Sequence, residues 1–211
     1  MPVDHPIYPV DLILDGRPCL VVGGGRVATG KVRGLREAGA VVTVVAPEVD
    51  EAIAADEQVT VERRPYRRGE VAGYRFVVAA TGDTEVNQAV FDDGEAAGVW
   101  VNCADDPARC SAILPAKVTQ GRLMVTVSTR GHSPAVASWL KERLAEELGP
   151  EYDQLIGLLG EARREVQAQG LATERVDWRR ALDSGILDLI RAGRPEDAKE
   201  RLRACLSSSS D

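Results

Sequence analysis

Leu20-Val21-Val22-Gly23-Gly24-Gly25-Arg26-Val27-Ala28 is the stretch that decides the fold. Three apolar residues run into three glycines. Beyond them Val27, Ala28, Val32, Leu35 and Ala38 recur at three- and four-residue spacing, the period of a helix that Gly39 is placed to end. Val41 to Ala46 is a second apolar run, rich in β-branched residues and closed by Pro47. Strand, glycine turn, helix and strand make one βαβ unit. Within it Gly23, Gly25 and Ala28 fit G-x-G-x-x-A, the dinucleotide fingerprint with Ala in third place. The first glycine permits the tight turn, the second lets backbone approach a pyrophosphate, and the small third residue lets helix pack on strand. The helix N-terminus then offers N–H donors and a partial positive charge to the phosphates. Glycines also close ordinary turns, but the strand before and the helix after them favour a dinucleotide site.

Outward from this unit the alternation continues. Gln58 to Glu62 reads as a short strand and Phe76 to Ala80 as a buried one. Asp83 is placed to cap a helix running to about Ala97 before Gly98, and Val99 to Cys103 is the next strand. Strands and helices of these lengths call for a parallel sheet covered on both faces. After Pro107 the grammar changes. Ser111 to Val118 and Arg122 to Ser128 read as two strands joined by Thr119-Gln120-Gly121, and Ser133-Pro134 as the cap and first residue of a helix that Gly149-Pro150 ends. From there to Cys205 the pattern is helical, broken near Gly170 and Gly193-Arg194-Pro195. The expected fold is α/β: a Rossmann-type sheet over residues 1–112, a small hairpin-plus-helix segment over 113–149, a helical region over 150–206 and a disordered tail over 207–211. The middle segment is too small to hold its own core, so it is expected to pair with a second copy.

The bulk numbers exclude several classes. In 211 residues, 44% are hydrophobic and 28% charged, an ordinary globular balance with enough chain for a real core. A net charge of −7 argues against nucleic acid. The longest uncharged apolar runs, Cys19 to Gly25 and Phe76 to Gly82, are too short to span a bilayer, and the N-terminus lacks the pattern of a signal peptide. Cys19, Cys103, Cys110 and Cys205 form no CxxC pair and no Cys/His metal spacing, so no metal site is expected. Free thiols without an export signal point to the cytoplasm.

Three further places bear on chemistry. The second strand ends Val45-Ala46-Pro47 without the acid that usually grips the adenosine ribose. Glu48 is either in reach of those hydroxyls or a solvated loop carboxylate. With no arginine there for a 2′-phosphate, NAD is favoured over NADP. Thr81-Gly82 and Asp105-Asp106 each follow a strand at the edge where such sheets place ligands, although both also suit plain turns. A carboxylate at that edge is positioned to accept a proton beside a nicotinamide. Finally, from Pro107 to Lys141 there is no Asp or Glu, while Arg109, Lys117, Arg122, Arg130 and Lys141 are cationic. At its middle Ser128, Thr129, Arg130, His132 and Ser133 add hydroxyls and a helix N-terminus, suited to an anionic ligand unless the face is merely solvated.

With these residues in view the chain resembles the precorrin-2 dehydrogenase/sirohydrochlorin ferrochelatase family, which forms the N-terminal half of siroheme synthases and also occurs free-standing. The resemblance rests on Gly16 to Gly25 with Val27, Ala28 and Lys31; on Val77 to Thr81 with Asn87; on Val101-Asn102-Cys103-Ala104-Asp105-Asp106-Pro107; and on Val125 to Ala135. It covers residues 7 to 148. It implies oxidation of the tetrapyrrole precorrin-2 to sirohydrochlorin with NAD as hydride acceptor, in some members followed by insertion of ferrous iron, and a homodimer joined through the central region. The family's key carboxylate falls on Asp105, and its dinucleotide contacts on Arg26-Val27 and Pro47-Glu48. The chain departs from the family at Gly82, where an acid is common, at Arg130, where glycine is common, and at residues 110–114, where aromatics are usual. A short-chain dehydrogenase would need Tyr-x-x-x-Lys, which none of Tyr8, Tyr66, Tyr74 or Tyr152 begins. A non-enzymatic NAD-sensing domain would need neither Asp105 nor the basic window.

Overall fold

A computed structural model describes residues 6–207. Most of the tail expected to be disordered lies outside them. Five strands, β1 (Pro18–Val22), β2 (Val41–Val45), β3 (Val59–Glu62), β4 (Phe76–Ala79) and β5 (Trp100–Cys103), form a wholly parallel sheet in the order β3-β2-β1-β4-β5. That is the Rossmann order, with the ligand crevice at the C-terminal ends of β1 and β4 where the winding reverses. Between the strands run α1 (Arg26–Glu37), α2 (Glu51–Ala54) and α3 (Thr84–Ala97). The β-branched runs form the central strands because both faces are covered. Cys19, Val21, Val42, Val44, Phe76 and Val78 join Ala28, Val32 and Leu35 of α1 in one apolar cluster. Leu20, Val22, Val77, Ala79, Val101 and Cys103 join Val90 of α3 in the other. The caps lie where the sequence places them. Asp83 accepts from the N–H groups of Glu85 and Val86, and Gly98 closes α3 in the left-handed region at φ 65.

The hairpin is β6 (Ala116–Gln120) and β7 (Leu123–Val127), paired antiparallel with Gln120 opposite Leu123. It is shorter at its start than Ser111–Val118 and its turn lies later than Thr119-Gln120-Gly121. Ser111 and Ala112 instead donate their N–H groups to Val101 O at 2.9 and 3.0 Å, and Ser111 Oγ accepts from Val101 N. That pairing binds them to β5, and Pro115 follows three residues after Ala112. The turn residues are Gly121, at φ 57, and Arg122. Helices α4 (Pro134–Glu147), α5 (Glu151–Ala168), α6 (Trp178–Leu182), α7 (Ile186–Arg191) and α8 (Pro195–Ser207) follow. α5 to α8 share a core of Leu155, Ala162, Ala181, Ile186, Ile190, Ala198 and Leu202.

The described residues fall into two compact units. One takes in the chain up to Leu114 together with Ser128–Pro134; the other takes in Pro115–Val127 and the chain from Ala135 onward. The hairpin therefore groups with the C-terminal helices rather than standing as a segment that ends at 149. Arg122 ties it to α5, donating to Asp153 Oδ1 from its backbone N–H at 2.7 Å and from its guanidinium at 3.1 Å. Among the described residues no helix is long and apolar enough to cross a membrane.

Candidate active site

The glycine loop is built as a cradle. At Gly23, φ 119, a Cβ would lie 2.3 Å from Ala80 O; at Gly24 it would lie 2.1 Å from Glu48 O. These two glycines let the loop pack against the chain leaving β4 and the chain leaving β2. Gly25 differs: a Cβ there would meet nothing within 4 Å. It is also the N-cap of α1, with no side-chain cap and no acid in the first turn. The first N–H groups of a twelve-residue helix thus open onto free space beside Gly25, which is the geometry a pyrophosphate needs. Gly23, Gly25, Arg26 and Val27 are brought together here. Glu48 is held against them by the Gly24 contact and by Asp50 N donating to Gly24 O at 2.7 Å, with Pro47 just before it.

Sequence reasoning missed an arginine pair. Arg64 N donates to Ala46 O at 3.1 Å, so Arg63 and Arg64, leaving β3, lie beside the end of β2. No local sequence signal marks this, because the adjacency is made by strand pairing. Arg64 is already engaged, bonded to the carboxylate of Glu62 and, at 2.6 Å, to that of Glu70. Burial pushes the Glu70 carboxyl up, but the guanidinium's hydrogen bonds and charge outweigh it and hold the group below its ordinary value.

Thr81 stands at the end of β4, but its polar groups serve the next turn. Its hydroxyl lies 2.7 Å from Asn87 Oδ1 and 2.9 Å from Asp83 O. Its N–H donates to Asn87 Oδ1, and its carbonyl accepts from Asn87 Nδ2 at 3.1 Å. The backbone of Ala80 and Thr81 still forms one wall of the glycine turn.

At the end of β5 the chain turns sharply. Asp105 has φ 61; with Arg130, φ 52, it is one of two non-glycine residues with positive φ among those described. Such residues cost about 1–2 kcal/mol and persist where neighbours over-determine them, commonly at functional sites. Ala104 N donates to Ala79 O at 2.8 Å and Asp106 N to Cys103 O at 3.3 Å. The Asp106 carboxylate pairs with Arg109, whose Nε also donates to Gln88 Oε1 at 2.6 Å. Arg109 therefore serves the turn rather than a ligand, and Arg122 is likewise paired with Asp153. Arg109 and Arg122 of the window are thus balanced by acids outside it.

Arg130 and Gly131, φ 77, form the middle of a turn closed by His132 N donating to Thr129 O at 2.9 Å. The left-handed backbone at Arg130 is the physical reason glycine suits this position. Thr129 Oγ1 accepts from Ser133 N at 3.2 Å and lies 3.0 Å from Ser133 O, and Ser128 Oγ accepts from Arg130 N. Ser128, Thr129, Arg130, His132 and Ser133 all lie in the segment that joins the unit of the parallel sheet.

Comparison with known proteins agrees with this geometry. Residues 10–116 match the family described as "Putative NAD(P)-binding". The chain is 36% identical over 203 residues to the siroheme synthase of Nitrosococcus oceani, covering 94% of this chain and 43% of that protein. It is 38% identical over 199 residues to the siroheme synthase of Pseudomonas aeruginosa, covering 92% and 43%. The chain thus spans less than half the length of these relatives. Among solved structures, the precorrin-2 dehydrogenase SirC superposes with a TM-score of 0.72 at 30% identity, covering 94% of this chain and all of that one. By fold, glycine cradle and these likenesses, the chain belongs to the NAD(P)-binding family that includes precorrin-2 dehydrogenase.

Proposed function

We propose that the chain oxidises precorrin-2 to sirohydrochlorin with NAD, as the names of its relatives suggest. The observation that carries the reading is Asp105, held in left-handed backbone at the sheet edge that also bears the glycine cradle. When bound, NAD supplies the hydride acceptor. The open N-terminus of α1 and the Gly25 backbone would receive its pyrophosphate, while Glu48, and Arg26 and Val27 at the start of α1, border the same cradle. Asp105 takes the proton that accompanies the departing hydride, so the substrate loses one hydride and one proton. Ser128, Thr129, Arg130, His132 and Ser133 orient the substrate's carboxylates, Arg130 by its charge and Ser133 from the start of α4. Of the two arginines beside the end of β2, Arg64 is spent on two glutamates.

Four large apolar side chains of the central segment, Leu114, Met124, Val136 and Trp139, are 45 to 53% exposed, which supports a homodimer joined there. The four cysteines are free thiols. The test is an anaerobic assay of purified protein with precorrin-2 and NAD or NADP, followed by ferrous iron. NAD-dependent formation of sirohydrochlorin is expected, and Asp105→Asn should lower turnover roughly 10²–10⁴-fold while NAD affinity and thermal stability hold. Metal incorporation after iron is added, reduced in the same variant, would extend the role of Asp105 to chelation. Near-normal turnover in Asp105→Asn would remove the carboxylate from the mechanism.

A further inference from the structure

The strained turn at Asp105 is closed around one atom. Cys110 Sγ accepts from Cys103 N at 3.2 Å and lies 3.3 Å from Cys103 O and 3.3 Å from Asp106 O, either of which can accept its S–H. Cys103 and Asp106 are the two ends of the turn that carries Asp105, so the thiol spans it. Asn102 backs this arrangement. It is only 5% exposed, donates Nδ2 to Ala112 O at 2.9 Å, and approaches Cys110 Sγ with the same amide at 3.6 Å. Its Oδ1 is buried without a hydrogen-bond partner. A buried acceptor left unpaired is unfavourable where an apolar side chain of similar size would do, so the amide is retained for what its donor end holds. On the other side the Asp106–Arg109–Gln88 contacts fasten the turn to α3.

We propose that Cys110, backed by Asn102, is a positioning residue that sets the direction of the Asp105 carboxylate. This rests on Asp105 being the proton acceptor. The thiol acts in its protonated form. Burial and the Asp106 carboxylate push Cys110 up, outweighing the Cys103 N–H and Lys31, and burial raises the neighbouring Cys103 thiol to about 12. At neutral pH the group is therefore both a donor and an acceptor, as the three contacts require.

The test compares Cys110→Ala, Cys110→Ser and Asn102→Leu with wild type, with NAD saturating. Cys110→Ala should lower kcat by roughly 10²-fold, the scale of a misplaced catalytic group, while KM for precorrin-2 and Kd for NAD move less than about twofold. Backbone N–H exchange at Asp105 and Asp106 should rise in parallel. Cys110→Ser keeps a donor and an acceptor and should recover most of both. Asn102→Leu should move both readouts in the same direction by less, and it stands in if Cys110→Ala does not fold. Normal kcat and normal exchange in Cys110→Ala, with Asp105→Asn inactive, would overturn the positioning role and leave Asp105 in place. Faster exchange or a lower Tm without loss of kcat would make the thiol merely structural, and equally overturn it. An active Asp105→Asn enzyme would instead sink the reading on which the proposal rests.

Discussion

At Gly25 two requirements that usually conflict can be separated. The residue is the N-cap of α1, in extended backbone at φ −85 and ψ −172, and makes no side-chain cap. Aspartate is among the best residues at such a position, so Gly25→Asp should fold as well as wild type or better by a few tenths of a kcal/mol. The same carboxylate would fill the space the pyrophosphate needs and repel it. NAD affinity should fall by at least 10²-fold, read by calorimetry, with Tm unchanged or raised. Retained affinity in a folded variant would show that the cofactor lies elsewhere. Arg130 has the opposite economy. Glycine would relieve its left-handed backbone, so a charged side chain is kept there against local preference.

At the scale of elements, α3 does more than cover the sheet. Its Asp93, 8% exposed, accepts from Tyr66 Oη at 2.6 Å and Gly69 N at 2.7 Å and pairs with Arg68 at 2.8 Å, pinning the long connection between β3 and β4. Burial pushes this carboxyl up, but the hydrogen bonds and the nearby guanidinium outweigh it and hold the group below its ordinary value. The folded pKa is thus depressed, so its stabilisation is present above the ordinary carboxylate range and lost as pH falls through the folded value. Asp93→Asn should lower Tm at neutral pH and flatten the acid limb of the stability curve. An unchanged acid limb, measured by thermal unfolding from pH 7 to pH 3, would refute this.

The same elements show why some of the fold was legible and some was not. β1, α1 and β2 could be read because their residues are buried on both faces and the helix carries one apolar stripe, so local pattern and tertiary role coincide. Gly98 and Asp83 could be read because caps are local chemistry. The start of β6 could not, because Ser111 and Ala112 are claimed by Val101, ten residues back. The charge balance of Arg109 and Arg122 depends on Asp106 just before the basic window and on Asp153 beyond it. Of the candidate site, the glycine turn was legible from its spacing, and the place of Asp105 just after a strand from the apolar run before it, whereas its proposed role came from the family resemblance. The thiol that braces Asp105 was not, because nothing in the order of residues says that Cys110 folds back on Cys103.

For the whole molecule, the exposed apolar side chains of the central segment make association the expected state. Trp139 is 53% exposed, with the Arg143 guanidinium 5.1 Å from its ring. Sedimentation should give about twice the 22.7 kDa of the chain, and Trp139→Glu should shift the species toward the single-chain mass with Tm lowered. A single-chain mass for wild type at all concentrations would rule out the dimer.

The path of the chain between its compact units carries a genetic consequence. It leaves the unit of the parallel sheet after Leu114, returns for Ser128–Pro134, and leaves again. No single breakpoint yields that unit whole without the hairpin: a junction at 114 keeps the glycine cradle and Asp105 but discards Arg130 and its neighbours. Recombination or fusion that preserves the site must therefore carry the hairpin along with it. The hairpin and the site it interrupts are inherited as one linkage block, whatever is later joined to either end.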